Sequence, residues 1–150
     1  MNKKTDELKA KVLKAQQDSD IASLYMLEQE AHDVFDDETL HGFYANILDL
    51  ALEKLTDTLE SHRVMDMGEV QDFATLRALY EYAIEHYNAG KMSDASALFE
   101  VLGGLSNSET FSESMDFHKR ASSKQISFDE FIENIADIDA VVLNEYNSDF

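Results

Sequence analysis

The residues that could do chemistry in this sequence begin with a carboxylate and an imidazole three positions apart, Glu38 and His41. This spacing places both side chains on one face of a helix. Two such Glu-x-x-His motifs, with two further glutamates on facing helices, build the di-iron sites of helical bundles. Because the chain has a single copy of the motif, we expect a solvated pair at the start of a helix and no metal site.

A second candidate site is the segment 126–131, which is similar to the end of a calcium-binding helix–loop–helix. A loop that ends there has Lys119 at its first ligand position and Lys124 at the position that requires glycine. Calcium needs several oxygen ligands, and a lysine repels it. We therefore exclude calcium and predict a capping box, in which Ser127 and Glu130 satisfy free backbone donors at a helix start.

No other pattern in the chain indicates an enzyme. The five histidines are scattered, and none accompanies a Gly-x-Ser-x-Gly nucleophile motif or a glycine-rich phosphate loop. The chain has no Cys, which excludes disulfides, thiol catalysis and Cys-ligated zinc. Pairs of carboxylates arise by chance among 31 acidic residues and are read as a solvated surface. The sequence predicts no catalytic residue, no cofactor and no enzymatic activity.

The charges are unevenly distributed along the chain. The formal net charge is -19, yet residues 1–14 contain five lysines and two acidic residues. A strongly acidic body repels the phosphate backbone, so we exclude nucleic acid as a partner and favour a basic or amphipathic protein. No apolar run approaches the ~20 residues that span a bilayer, and residues 1–13 lack the apolar stretch of a signal peptide. We expect a cytoplasmic protein with no membrane span.

The elements that position these residues are predicted to be helices throughout. Apolar residues recur at three- and four-residue steps, no segment alternates with period two, and Pro is absent. The expected fold is all-α, a single domain of residues 1–150 that forms a six- to seven-helix bundle. It comprises a basic N-terminal helix or arm (1–17), a helical body (18–143) and a frayed tail (144–150).

Individual helix boundaries follow from capping residues and glycines. The first helix starts after Thr5, and its apolar stripe of Leu8, Val12 and Ala15 is thin, so we expect it to be weakly anchored. The Gly103-Gly104 pair is expected to stop a helix, and 121–125 is expected to be a polar loop. The helices predicted in the body cover residues 21–35, 40–63, 69–88, 93–102, 108–120 and 128–142.

The most informative segment is 79–102, which has the pattern of a tight helical hairpin. It reads Tyr-x-x-Gly-Lys-x-x-Asp-Ala-x-x-x-Phe from Tyr87 to Phe99. A glycine can adopt the left-handed turn, a small residue lets the second helix approach closely, and the phenylalanine fills the space between the helices. The residues expected to pack or turn in this hairpin are Tyr80, Ala83, Tyr87, Gly90, Ala95 and Phe99.

This hairpin resembles a tetratricopeptide helix pair, and more narrowly the first repeat of the class II chaperones of bacterial type III secretion. That family has three consecutive repeats and this chain shows one, so a generic hairpin in another bundle stays open. The resemblance implies a small acidic cytosolic chaperone or adaptor that binds an extended peptide and can form a homodimer. The alternative is an acidic inhibitor, an immunity protein or nucleic-acid mimic, that blocks a basic partner site.

Overall fold

A computed structural model describes residues 3–124, and this part of the chain folds into seven helices with no strand. The predicted all-α bundle is confirmed. The expected helix at 128–142, its capping box and the tail at 144–150 lie outside the described residues. The helices are α1 (Lys3–Gln17), α2 (Ile21–Met26), α3 (Glu28–Val34), α4 (Asp37–Glu60), α5 (Val70–Asn88), α6 (Met92–Leu105) and α7 (Glu109–Ser123).

The first helix is more firmly attached than its thin apolar stripe predicts. Leu8, Val12 and Ala15 are all buried in the main core, where α1 packs on α2, α3 and α4. The Asp36 carboxylate at the start of α4 has a pKa lowered mainly by its hydrogen bonds from Thr39, and to a smaller extent by Lys9 of α1. The expectation of weak anchoring is therefore wrong for the residues described. Thr5 lies within α1 and does not cap it.

The helix predicted at 21–35 is divided in two at Leu27, where α2 ends and α3 begins. The Leu27 amide still donates to the Ser23 and Leu24 carbonyls, and its own carbonyl accepts from Ala31. The chain therefore passes from α2 to α3 with both backbone groups of Leu27 hydrogen-bonded. Both halves bury apolar side chains, with Leu24 before the break and Ala31 after it fully enclosed.

The helices α6 and α7 extend beyond their predicted ends. Gly103 lies inside α6, and its carbonyl accepts a hydrogen bond of 2.8 Å from the Ser112 hydroxyl of α7. Neither Gly103 nor Gly104 has a positive φ, since Gly90, with φ of 80°, is the one glycine in residues 3–124 that does. The Gly103-Gly104 pair therefore does not stop α6, which continues to Leu105. The predicted polar loop at 121–125 is also wrong, because Ala121 and Ser122 are helical and buried.

Two connectors, one between α4 and α5 and one between α6 and α7, bind each other. The Met65 amide donates to the Leu105 carbonyl, and the Asn107 amide donates to the Met65 carbonyl at 3.0 Å. The Asn107 side chain accepts from the Met67 amide and donates to Asp66, both at 3.1 Å. Met65 is fully buried between them. We call this set of contacts the connector clasp, and it holds the ends of α4 and α6 together.

Candidate functional site

The residues of the predicted hairpin meet between α5 and α6. Ala83, Tyr87, Ala95 and Phe99 are all buried in one core. Gly90 makes the turn in the left-handed conformation, with φ of 80°. The structure therefore places these residues in packing and turning positions, and none of those buried is accessible to a ligand.

A histidine that the sequence analysis did not select completes this region. His118 of α7 is fully buried, its ring centroid 4.9 Å from that of Phe99 and 5.3 Å from that of Tyr80. Its Nδ1 lies 2.6 Å from the Ser114 carbonyl oxygen and therefore donates to it, which leaves Nε2 to accept from the Tyr80 hydroxyl at 2.9 Å. Burial lowers the pKa of His118 to about 4, so the ring is neutral at pH 7.

We call the enclosed set formed by Tyr80, Phe99 and His118 with the buried hairpin residues the hairpin core. The sequence holds a signal for His118, since it follows Phe111 and Met115 at helical spacing. Its apolar neighbour Phe117, by contrast, is 42% exposed. The hairpin core is enclosed and uncharged, so its chemistry is packing.

The opposite face of α5 lines a surface cleft with a volume of about 560 Å³. Residues 80, 83 and 87 of α5 lie in the hairpin core, whereas Ala78, Glu81, Tyr82 and Glu85 lie half a helical turn away and face the cleft. Residues of α4 and of the α2–α3 junction form the other walls. We call this the acidic cleft, and it is the strongest candidate for a functional site among residues 3–124.

Carboxylates and tyrosines dominate the walls of the acidic cleft. Tyr25 and Glu28, which lie on either side of the break at Leu27, both line the cleft. Helix α4 adds Tyr44 and His41, and it supplies small or apolar floor residues together with α5. The complete polar lining is Tyr25, Glu28, His41, Tyr44, Glu81, Tyr82 and Glu85.

Arg77 of α5 pairs with two glutamates that line the acidic cleft. Its guanidinium donates to Glu28 at 3.1 Å and lies 3.6 Å from Glu81. The same guanidinium stacks on the Tyr25 ring, with its central carbon 3.9 Å from the ring centroid. A cation is thus held between carboxylates and an aromatic face, an arrangement that stabilises a partly desolvated guanidinium.

The tyrosines serve as hydrogen-bond donors in the cleft. The Tyr25 hydroxyl donates to Glu81 at 2.7 Å, and the Tyr44 hydroxyl donates to Glu28 while lying 2.7 Å from His32 Nε2. Burial, followed by the hydrogen bonds to these glutamates, raises the pKa of Tyr25 and the pKa of Tyr44 above the ordinary range. Both phenols therefore stay protonated. They are unsuited to act as bases, and they fix the carboxylates in place.

No sequence pattern indicates the cleft directly, because its residues come from segments far apart in the chain. Only the α5 residues Glu81, Tyr82 and Glu85 show a local pattern, and in an acidic chain it is typical of a solvated face. Glu38 and His41 are both exposed, and of these two only His41 lines the cleft.

Within residues 3–124, no three His, Asp or Glu side chains are grouped so that they could hold a metal ion. No helix in the same range combines the length and the apolar character needed to cross a membrane.

Comparisons with protein-family models, with curated proteins and with solved structures found no match to this chain. The resemblance of residues 79–102 to a tetratricopeptide pair therefore rests on the motif alone. Any assignment of function depends on the chemistry of the acidic cleft and on the charge of the chain.

Proposed function

We propose that this chain is a non-enzymatic chaperone or adaptor of the cytoplasm that binds a basic segment of another protein in the acidic cleft. The observation that carries the proposal is the composition of that cleft. Its walls hold the carboxylates of Glu28, Glu81 and Glu85, and Arg77 is the one cation paired with them among residues 3–124. A cleft with excess negative charge and aromatic walls suits a positively charged side chain on an apolar stem.

The charge of the whole chain supports the same kind of partner. A net charge of -19 attracts a basic segment over a distance and keeps the complex soluble. Contacts inside the cleft then supply the affinity that long-range attraction does not.

A second candidate function is inhibition of a basic site by the outer surface of the chain. Four exposed carboxylates follow one another along α4 at three- and four-residue steps, on the side that faces solvent: Asp49, Glu53, Asp57 and Glu60. A regular row of charges of this kind is what an immunity protein or nucleic-acid mimic would offer a cationic active site. This function uses the outer face of α4 and does not need the acidic cleft.

Blocking the cleft distinguishes the two functions. The probe is a fluorescein-labelled, unstructured 12-residue peptide of alternating arginine and leucine, and the measurement is fluorescence anisotropy at 0.15 M salt. Ala45 is exposed at the cleft, so Ala45→Phe fills the space without disturbing the core. We expect this variant to bind at least about tenfold more weakly than the parent protein, a loss of ~1.4 kcal/mol.

The matched control is Ala97→Phe, which adds the same ring at an exposed position of α6. We expect this variant to bind the peptide as the parent does. Equal binding by Ala45→Phe and the parent would overturn the cleft as the binding site. If binding is then lost when the α4 row is neutralised by Glu53→Gln and Asp57→Asn, the inhibitor function replaces the first proposal.

A further inference from the structure

We infer that the acidic cleft recognises an arginine side chain of its partner, and not basic residues in general. The inference rests on the proposed function and gives it a chemical class. The structure contains an internal example in Arg77, whose guanidinium stacks on Tyr25 at 3.9 Å with Glu28 and Glu81 on either side. This end of the cleft already satisfies one arginine through a ring face and two carboxylates.

The same pair of groups is repeated one turn further along α5. Glu85 follows Glu81 by four residues, which places it on the same face of the helix, and Tyr82 lines the cleft beside it. The Tyr82 ring is held in place by an edge contact with His86, at a centroid distance of 4.4 Å. No ion pair within residues 3–124 involves the Glu85 carboxylate. The second half of the cleft thus has the ring and the carboxylate but no guanidinium from the chain itself.

The geometry of the lining favours arginine over lysine. A guanidinium is planar and weakly hydrated, so it can stack on a tyrosine and donate to a carboxylate at the same time. An ammonium group is compact and strongly hydrated, and it gains less from an aromatic face. Ala45 and Ala78 take little of the cleft's floor, and the remaining volume of about 560 Å³ accommodates the apolar stem of a long side chain.

Other ligand classes fit the cleft less well. An anion would meet three carboxylates and a single guanidinium. A metal ion would need grouped ligands, and no such group occurs in residues 3–124. An uncharged apolar segment would leave the Glu85 carboxylate desolvated without a partner, which is unfavourable. The site therefore selects a cation that has both a flat face and several donors.

The test compares two labelled 12-residue peptides that differ only in having arginine or lysine at every basic position. Anisotropy titrations at equal ionic strength give the ratio of their affinities. We expect the parent protein to prefer the arginine peptide by at least about fivefold. Glu85→Gln should reduce that ratio to near one, and Glu113→Gln, an exposed glutamate on α7, should leave it unchanged.

The outcomes separate this inference from the proposed function. If both peptides bind equally and Ala45→Phe weakens both, the arginine preference is wrong and the proposed function stands. If neither peptide binds, both are overturned. If the arginine preference survives in Glu85→Gln, recognition does not occur where the structure places it and the inference fails. Far-UV circular dichroism of each variant shows that the helices are intact.

Discussion

The two faces of α5 carry similar residues, but one face is packed into a core and the other lines an open cleft. The hairpin core and the acidic cleft both combine tyrosines with alanines and with a histidine. In the hairpin core, Phe99 of α6 and His118 of α7 are fully buried against this face. In the acidic cleft, the facing helices leave a volume of about 560 Å³ open. Aromatic and small residues on a helix therefore do not by themselves decide whether a face is closed.

The difference lies in the polar groups that each face must satisfy. The hairpin core holds a neutral histidine that donates to a backbone carbonyl and accepts from a tyrosine, so the charge that would need water is absent. The cleft holds Glu28 and Glu81, whose full burial would require several more partners than Arg77 alone supplies. A face that carries carboxylates stays solvated, and an open, solvated face is available to a ligand.

The largest expected effect comes from removing the ring at the centre of the hairpin core. Phe99→Ala should lower the free energy of unfolding by ~3–5 kcal/mol, because Phe99 is fully buried and its loss leaves a cavity. Urea denaturation followed by circular dichroism measures the change. The control, Phe117→Ala, removes a ring that is 42% exposed and should change stability much less. If both variants lost the same free energy of unfolding, the burial of Phe99 would not explain its contribution to stability.

The second prediction uses pH to test the enclosure of His118. At a pH above 6.5, the ordinary pKa of histidine, the His118 ring is neutral in both the folded and the unfolded state. At a pH below 6.5 the unfolded chain binds a proton on His118, whereas the folded protein does not, because its His118 pKa is about 4. Stability should therefore fall as the pH falls from about 6.5 to about 4, by at most ~3 kcal/mol. Urea denaturation across this range measures it.

The control for this prediction is His118→Gln, which cannot titrate in that window. Lower pH also neutralises surface carboxylates and reduces self-repulsion in an acidic chain, but this effect is common to both proteins and cancels in their difference. We expect the free energy of unfolding of the variant to change less with pH than that of the parent, and the difference between the two is the contribution of His118. Parallel curves would mean that His118 is hydrated in the folded protein.

The third prediction places the same enlargement on each face. Ala95→Leu should overpack the hairpin core and lower the free energy of unfolding by ~1–3 kcal/mol, because Ala95 is fully buried. Ala45→Leu at the cleft should change it by less than ~0.5 kcal/mol, because Ala45 is exposed. Thermal or urea melts of the two variants give the comparison. A melt of Ala95→Leu within a degree of the parent contradicts the closed packing.

The smallest expected effect concerns the carboxylate assigned to recognition. Glu85→Gln should change the free energy of unfolding by less than ~0.5 kcal/mol, since Glu85 is exposed and joins no ion pair within residues 3–124. Urea denaturation of the variant and of Glu113→Gln provides the check. A loss above ~1 kcal/mol would show that Glu85 supports the fold, and its effect on binding could then not be assigned to the cleft alone.

Local periodicity predicted most of the fold correctly. The boundaries of α5 follow from its apolar spacing, and α7 begins close to the predicted position, where Ser108 caps it by accepting a hydrogen bond from the Phe111 amide. The predictions failed where a local signal depends on tertiary contacts. The Gly103-Gly104 pair usually ends a helix, but α7 packs along α6 and the helix continues to Leu105. The thin stripe of α1 is sufficient because three neighbouring helices enclose it.

The candidate site was less predictable than the fold for a physical reason. The hairpin residues lie close together in the chain, so a short sequence motif is sufficient to predict their packing. The acidic cleft joins Tyr25 and Glu28 to Glu81, more than 50 residues away, and no local pattern indicates such a contact. A carboxylate on an exposed helix face has the same sequence signal whether or not another helix stands opposite it.

The connector clasp has a consequence for the order in which the chain gains its structure. Its contacts join residues 40 to 42 positions apart, and closing such a loop costs entropy before any contact forms. The α5–α6 hairpin lies inside that loop and can form first from local contacts. The Met65 amide should then exchange its hydrogen with solvent only when the two connectors separate, so its exchange rate reports on global opening and not on the fraying of a single helix.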